Sequence, residues 1–367
     1  MRLCARLARL PGVRLVLAGR NVAKLAQLRD DLLHNNPDAT LESVTLDITE
    51  PDFAATLLKI QPDLVLHLAG PFQEQDYSVA RACITAGCNY IDMADGREFV
   101  RGFLALDAAA RERSVSLITG ASTVPGFSAA LIDAFAPRFT VLEKLTYGIS
   151  AGLKTGLGRA TLQAVLSYCG KSYDVLHDGR MQTIHGLGHP RHHTYPPPVG
   201  RRALVDCDIP DHALFPTRYP TLRTMNFGSC IDAAGLAKIL DLMRWGVMHE
   251  WVCDWNFLGG CIMPFMRVMK IFGSRDSGFF MHMDGIGHDG APLRLTCEIG
   301  AADSSGLEIP VTPVMLLVKR WLHDGGFPHG AYPCLDLFTL RDFAAELADY
   351  PIRWYVNQTL RQGSDLL

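Results

Sequence analysis

The chain has 367 residues, of which 48% are apolar and 20% are charged, a mixture typical of a folded protein with two or more domains. The formal net charge is −3, from 35 Lys+Arg and 38 Asp+Glu, so no overall positive charge supports nucleic-acid binding. Ten cysteines without a CxxC pair argue against a disulfide framework or a structural zinc site. This cysteine usage favours a reduced, cytoplasmic protein.

The first third of the chain alternates between short apolar strands and amphipathic helices. After an opening helix over residues 1–10, this alternation predicts a parallel sheet built from βαβ units, that is, a Rossmann-like α/β fold. The predicted strands are Val13–Ala18, Leu41–Leu46, Leu64–Ala69, Tyr90–Met93 and Val115–Thr119. The predicted helices between them are Val22–His34, Pro51–Ile60, Tyr77–Ala86 and Glu98–Arg113.

The start of this pattern departs from the usual nucleotide-binding arrangement. A doubly wound fold opens with a strand, a Gly-rich turn and a helix, whereas this chain opens with the helix, and Gly12 and Gly19 follow it. We therefore expect the first strand and the Gly-rich turn to be missing. Because that turn holds the pyrophosphate, we expect weak dinucleotide binding by the chain from Met1. A start assigned too far downstream is favoured over a natural truncation.

After residue 130 the pattern changes to hairpins and helices. It predicts an α+β second domain with an antiparallel sheet over residues 131–310, followed by C-terminal helices over 311–367 that are expected to pack back on the first domain. Asp-Gly pairs mark two hairpins. The predicted strands are Leu142–Ser150, Tyr173–Leu176, Arg180–Ile184, Phe279–Gly287 and Ala291–Gly300. The predicted helices are Ala160–Cys169, Ile231–His249, Phe257–Phe272, Pro313–Leu322 and Leu340–Leu347.

Polar residues that follow the first two predicted strands are candidates for binding the adenosine half of a dinucleotide. Gly19, Arg20 and Asn21 follow the first strand, where an acidic residue would bind the ribose of NAD and an arginine suits the 2′-phosphate of NADP. Arg20 therefore predicts NADP, with a surface arginine as the alternative. Asp47 and Ile48 follow the next strand and are predicted to contact the adenine, with helix capping by Asp47 as an equally open alternative.

A turn after the third predicted strand is a candidate for contact with the cofactor. The segment Ala69-Gly70-Pro71-Phe72 lies at the carboxyl edge of the sheet, where ligands bind in open α/β folds. Gly70 would let the backbone approach a cofactor, and Pro71 fixes the turn. An ordinary strand-to-helix turn is the alternative.

The following strand supplies the candidate catalytic residue. Tyr90, Asp92 and Asp95 are expected to face the cleft, and Asp92 is predicted to take up a proton or hold a substrate amine if the reaction is imine reduction. A helix N-cap or an ion pair with Arg97 is the favoured alternative role for Asp92.

Four segments together resemble the saccharopine dehydrogenase-like family, most strongly over residues 1–130. Weaker similarity continues through Ser167–Lys171, Met281-His282 and Ala331–Cys334, which are similar to a bacterial branch of unassigned reaction. The four segments are Leu17–Asn21, Leu68–Phe72, Cys83–Asp92 and Val124–Ser128.

This resemblance implies a Rossmann domain that binds NADP and an α+β domain whose sheet covers the active-site cleft. It implies that Arg20 and Asn21 hold the 2′-phosphate and adenosine, and that Gly70, Pro71 and Phe72 line the nicotinamide side. Pro125 and Gly126 would lie where the chain leaves the Rossmann domain. Family members reduce or oxidise C=N bonds of amino-acid derivatives or C=C bonds of lipid intermediates.

Two further segments carry weaker alternatives. The histidines of His185–Pro198 fit no metal-ligand spacing, so this segment is predicted to be a solvated or substrate-covering loop and no metal site is predicted. His282 is either a sheet-face histidine or an acid–base group. The Met-rich stretch Phe257–Phe272 is expected to be core, with a pocket for an apolar substrate or peripheral membrane contact as alternatives.

Two hypotheses from different classes follow. The favoured hypothesis is an NADP-dependent oxidoreductase that transfers hydride to or from a C=N or C=C bond of a small-molecule substrate. The alternative is a non-catalytic Rossmann-scaffold protein that acts by binding a partner, because no acid–base set stands out and the Gly-rich turn is absent. The sequence leaves open whether two copies form a homodimer.

Overall fold

The computed structural model describes residues 2–73, 75–155, 167–230, 236–252, 255 and 273–361. The strands in these ranges are β1 Arg14–Gly19, β2 Thr40–Thr45, β3 Leu64–His67, β4 Asn89–Asp92, β5 Ser116–Thr119, β6 Phe139–Ser150, β7 Ser172–His177, β8 Arg180–His185, β9 Arg191–Tyr195, β10 Gly200–Asp206, β11 Thr224–Cys230, β12 Ser277–Gly287, β13 Pro292–Ala301, β14 Gly330–Pro333, β15 Ile352–Val356 and β16 Thr359–Arg361. The α-helices are α1 Arg2–Leu7, α2 Val22–Asn35, α3 Phe53–Ile60, α4 Ser78–Ala86, α5 Arg97–Gly102, α6 Asp107–Glu112, α7 Ser128–Phe135, α8 Asp211–Arg218, α9 Leu236–Met248, α10 Thr312–Asp324 and α11 Leu340–Glu346.

The amino-terminal part has the predicted α/β alternation, but its strands form two parallel sheets. β1 pairs with β2, while β3, β4 and β5 pair in order and β14 adds to the free side of β5. The expected single sheet is thus divided, because among the described residues neither β1 nor β2 pairs with β3, β4, β5 or β14. All the strand ends that carry candidate site residues are still carboxyl ends of parallel strands.

One helix predicted as continuous in this region is interrupted in the structure. The helix expected over Glu98–Arg113 is divided into α5 and α6, which are joined by a 3₁₀ turn over Phe103–Leu106. The break follows Gly102, a weak helix former. A Cβ at Gly102 would lie 2.4 Å from the Tyr77 hydroxyl, so the glycine also makes room for that ring.

The second sheet is mixed and not purely antiparallel as expected. In the described residues its strand order is β16-β15-β13-β12-β6-β11-β10-β9, and β6 and β11 run parallel. The two hairpins predicted from Asp-Gly pairs are present as β7–β8 and β12–β13. The His185–Pro198 segment is not a simple loop, because it contains β9, whose residues alternate between partly buried and exposed before ending at buried Tyr195.

Sequence patterns miss several elements of the carboxyl-terminal part. The helices predicted over Pro313–Leu322 and Leu340–Leu347 are present, but β14 joins the parallel sheet and β15 and β16 extend the mixed sheet. These strands have three to five residues, too short for a clear alternation of apolar and polar positions. The stretch Phe257–Phe272 and most of the helix predicted over Ala160–Cys169 lie outside the described residues, as does the start of Ile231–His249.

The core joins both ends of the chain to the sheets. Leu3 and Leu7 of α1 pack with Ile91, Ile118 and Val314, so α10 covers the parallel sheet from the far end of the sequence. A second cluster under the mixed sheet is rich in aromatic rings, with Phe127 stacked on Phe343 at 4.3 Å between ring centroids. In the described part of the chain, no helix has the length and apolar character needed to cross a membrane.

Candidate functional site

The residue predicted to select NADP, Arg20, directly follows β1 and is accessible. Its side chain is 77% exposed, and Asp47 Oδ2, 3.9 Å from Nη1, is its ion-pair partner among the described residues. An exposed pair at this distance is weak, so the guanidinium is free to bind a phosphate. The position and availability of Arg20 fit a 2′-phosphate at the carboxyl end of β1.

The neighbouring candidates have structural contacts of their own. Asn21 is the N-cap of α2, and its side-chain oxygen accepts a hydrogen bond from the Lys24 backbone N–H at 2.9 Å. Asp47 accepts hydrogen bonds from the backbone and hydroxyl of Thr49, which lower the pKa of Asp47. It thus caps a turn before α3, while Ile48 is partly buried against the hydrophobic cluster below.

The turn after β3 is held in shape by side chains. The Gly70–Pro71 peptide is cis, and Gln75 Nε2 donates to the carbonyl oxygens of Ala69 at 2.5 Å and of Pro71 at 2.8 Å. A Cβ at Gly70 would meet the Phe72 ring at 3.6 Å, an ordinary contact. The protein's own packing therefore does not require a glycine at position 70.

Phe72 itself does not project into the cleft. Its side chain is buried, and its ring packs edge-on against His67 at 5.1 Å and against Phe99 at 5.3 Å between centroids. The Phe72 ring therefore supports the turn from below. The expected contact with the nicotinamide side would come from the backbone of the turn and from the accessible Ala69.

Asp92 is fully buried at the carboxyl end of β4. Its Oδ1 accepts hydrogen bonds from Thr119 Oγ1 at 2.9 Å and from the backbone N–H groups of Gly120 at 2.8 Å and Ala94 at 2.9 Å. Burial raises the pKa of Asp92 to about 6 against the opposing effect of these hydrogen bonds. Asp92 therefore fixes the loop after β4 to the loop after β5.

Asp95, three residues later, is accessible and belongs to a polar group that spans the two parts of the chain. Gln73 Nε2 donates to Asp95 Oδ1 at 3.0 Å and to Tyr168 Oη at 3.2 Å. The carboxylate of Asp95 is reached by solvent, yet the surrounding protein desolvates it enough to raise its pKa. Gln73 Oε1 is buried and lacks a hydrogen-bond partner among the described residues.

A largely buried ion pair supports the same region. Arg97 Nε lies 2.8 Å from Asp208 Oδ1, with side chains 10% and 12% exposed, and Asp208 also contacts His212. The Arg97 guanidinium lies over the Tyr173 ring at 5.6 Å from its centroid. These contacts fix the loop after β4 against β7 and α8. The alternative pairing of Asp92 with Arg97 does not occur.

A second buried carboxylate, Asp211, holds the second domain together below this site. Its Oδ2 accepts hydrogen bonds from Ser128 Oγ at 2.7 Å and Tyr147 Oη at 2.8 Å, which joins α7, β6 and α8. Burial raises the pKa of Asp211 to about 7, although both hydrogen bonds lower it.

Pro125 and Gly126 are buried where the chain passes from β5 to α7. The Val124–Pro125 peptide is cis, and Gly120 packs against Pro125 so closely that a Cβ at Gly120 would lie 2.7 Å from the proline ring. Gly120 also has φ +75°, which favours glycine. Both candidates therefore shape the turn after β5 from the inside.

Sequence reasoning missed the members of the site that come from distant segments. Asp95 was placed at the cleft from its position after a strand, but nothing in the sequence pairs it with Gln73 or Tyr168. Asp208 is followed by Ile209 and Pro210 at the start of α8, and Asp-x-Pro before a helix is a weak signal by itself.

The amino-terminal part has a Rossmann-type α/β fold, and Arg20, Asp47 and Gly70 follow the carboxyl ends of its parallel strands. Residues 1–118 match the saccharopine dehydrogenase NADP binding domain. This match confirms the predicted resemblance over the amino-terminal part of the chain and supports NADP(H) as the cofactor.

Individual relatives agree with this assignment. The chain is 34% identical over 108 residues to a probable mitochondrial saccharopine dehydrogenase-like oxidoreductase of Arabidopsis thaliana. That stretch covers 29% of this chain and only 24% of the relative. The fold is similar to apo saccharopine dehydrogenase (L-Glu forming) from Saccharomyces cerevisiae, with a TM-score of 0.63 and 13% identity over 97% of this chain and 96% of that one.

Proposed function

We propose that this protein is an NADP-dependent oxidoreductase that transfers hydride between the cofactor and a C=N bond of a small-molecule substrate. The observation that carries this proposal is that Arg20 and Asp95 are both exposed and each follows the carboxyl end of a parallel strand, β1 and β4 respectively. A related oxidoreductase in Arabidopsis thaliana and the NADP-binding domain match support the reaction class.

Each of these residues has a defined task in the proposed reaction. Arg20 binds the 2′-phosphate, and the Gly70 turn gives the dinucleotide access to the carboxyl edge of β3. When bound, NADPH supplies the hydride, so the protein needs no nucleophile of its own. The chain must orient the substrate beside the cofactor and provide or accept one proton.

Asp95 is suited to the proton transfer. It is accessible to solvent, its pKa is raised by desolvation, and Gln73 fixes one of its oxygens. A carboxyl group of raised pKa holds its proton to higher pH than an ordinary carboxyl group and can donate it, and its ionised form attracts an iminium or ammonium group. This preference for a cationic nitrogen favours a C=N substrate over a C=C substrate.

Asp92 then acts as a positioning residue for Asp95. It contacts no solvent, and its three hydrogen bonds fix the loop that begins with Ala94. Arg97, on the other side of Asp95, fixes the same loop through Asp208. The catalytic carboxylate thus lies between two anchored neighbours, which limits its movement.

The test is NADPH oxidation measured against imines, enoyl thioesters and 2-oxo acids, first with the unmodified chain and then with Asp95→Asn. We expect turnover of an imine, and a loss of about 10²–10⁴-fold in kcat for Asp95→Asn with NADPH affinity unchanged. The matched control is Glu98→Gln, because Glu98 is an exposed acid on α5 that pairs with Arg101. Equal kcat for Asp95→Asn and the unmodified protein would contradict the role of Asp95.

A further inference from the structure

Three side chains from different strands of the mixed sheet converge at a place separate from the dinucleotide site. His193 lies on β9, His282 on β12 and Glu298 on β13, and ligand atoms of all three lie within 4.8 Å of one another. Their side chains are 14%, 26% and 16% exposed, so the cluster is neither a loose surface group nor sealed in the core. We propose that His193, His282 and Glu298 form a binding site for one divalent transition-metal ion of the zinc type.

Sheet geometry places two of the three ligands on one face. Phe280 and His282 are two residues apart on β12 and therefore share a face, while Glu298 is directly opposite Phe280 on β13. The other face, which carries Met281 and Met283, packs into the hydrophobic core. His282 and Glu298 thus project together on the side away from that core.

The third ligand arrives because the sheet curves back on itself. β9 is at the far end of the strand order, yet the His193 ring stacks on Phe280 with 3.7 Å between centroids and an interplanar angle of 11°. Two glycines allow this approach. A Cβ at Gly278 would lie 2.5 Å from the Tyr195 ring, and one at Gly300 would lie 2.7 Å from the Pro197 carbonyl oxygen.

The distances match the requirements of a metal ion. Glu298 Oε1 lies 3.2 Å from His193 Nε2 and 3.3 Å from His282 Nε2. A tetrahedral zinc ion with bonds of about 2.0–2.1 Å separates neighbouring ligand atoms by about 3.3 Å. Both imidazoles direct the same ring nitrogen to the same oxygen, which is the convergence that a shared ion would need.

The chemical character of the ligands also fits. Two imidazoles and one carboxylate form the donor set of three-ligand zinc sites that keep a fourth position for water. Thr296 Oγ1, opposite His282 on the same face, is buried without a hydrogen-bond partner among the described residues and is available to such a water.

The three proposed ligands are far apart in the sequence, so a search for local ligand motifs does not detect them. His193 and the pair His282 and Glu298 are separated by more than 80 residues, so no local ligand motif exists. The sequence prediction of no metal site considers the cysteine spacing and the histidines of the His185–Pro198 segment, but not the β12–β13 hairpin. That segment contributes one ligand, and the other two come from the β12–β13 hairpin.

The experiment is a titration of the metal-free full chain with Zn²⁺, followed by calorimetry, and with Co²⁺, followed by its visible spectrum. We expect one Zn²⁺ per chain and the intense absorption bands of four-coordinate Co²⁺. His282→Gln and Glu298→Gln should each weaken Zn²⁺ binding by about 100-fold or more. The matched control is His192→Gln, because His192 neighbours His193 on β9 but is exposed.

Circular dichroism of the metal-free variants separates loss of binding from loss of folding. If His282→Gln does not fold, Glu298→Gln and the Co²⁺ spectrum of the unmodified chain still decide the matter. Absence of stoichiometric Zn²⁺ binding by the folded, unmodified chain would overturn the proposal. Unchanged affinity in both ligand variants, or an equal loss in His192→Gln, would do so as well, because the ion would then bind elsewhere.

Discussion

Replacement of Asp211 by asparagine should remove a large part of the pH dependence of stability. Asp211 is the buried first residue of α8, and its Oδ2 accepts hydrogen bonds from Ser128 and Tyr147. An asparagine side chain keeps one oxygen that can accept from both hydroxyls, but it cannot ionise. The substitution therefore isolates the effect of the charge from that of the shape.

The magnitude follows from the pKa of Asp211, which burial raises from 3.8 to about 7. Below about pH 4 the carboxyl is protonated in both the folded and unfolded states, and its contribution does not change. Between these two pKa values the unfolded state releases the proton and the folded state keeps it. The free energy of unfolding therefore falls by about 1.4 kcal/mol per pH unit as the pH rises, or about 3 kcal/mol from pH 5 to pH 7.

The assay is urea unfolding at pH 5, 6, 7 and 8 for the unmodified chain, for Asp211→Asn and for the exposed control Asp38→Asn. We expect Asp211→Asn to gain stability relative to the unmodified chain as the pH rises, by about 3 kcal/mol over this range. The control should follow the unmodified chain. Parallel stability curves for all three proteins would refute the assignment of a protonated Asp211.

Three further substitutions test the site and its supports. Gly70→Val should reduce NADPH affinity while changing stability by no more than about 1–2 kcal/mol; selective loss of stability with binding intact would make the turn purely structural. Gly120→Ala should lower the free energy of unfolding in urea by about 2 kcal/mol or more, because the new Cβ would clash with Pro125. The control Gly12→Ala has the same φ of +75° but no atom within 4 Å, so it should lower that free energy by about 1 kcal/mol. Equal losses would contradict this packing. Asp208→Asn leaves Arg97 buried without its charged partner and should cost about 3 kcal/mol in urea unfolding; no loss would show that the pair is not needed for stability.

The elements of the parallel sheets could be predicted because each has a strong local signal. Val13–Ala18 and Leu64–Ala69 are apolar runs bounded by turn residues, and the structure places β1 and β3 within two residues of those limits. The breaks that the sequence did not predict have non-local causes. Gly102 ends α5 beside Tyr77, and β14 is a strand because Gly330–Pro333 finds a free edge at β5.

The same division applies to the candidate site. The positions of Arg20 and the Gly70 turn in the fold could be predicted because each follows a strand with a strong local signal, and the structure places them after β1 and β3. The partners of Asp95 could not be predicted from local sequence. Gln73 is 22 residues from Asp95, and Tyr168, which also bonds to Gln73, is 95 residues from Gln73. Contacts at such separations depend on how distant segments pack together, and local sequence patterns do not predict this packing.

The proposed preference for NADPH, which we assign to Arg20, is tested most directly by a fluorescence titration of the full chain with NADPH and with NADH. Because a charge-assisted contact to the 2′-phosphate contributes about 1.5–3 kcal/mol, NADPH should bind about 10- to 150-fold more tightly than NADH. Arg20→Asp should abolish this preference, and Arg14→Gln, at the opposite end of β1, should preserve it. Equal affinity of the unmodified chain for the two cofactors would contradict the account.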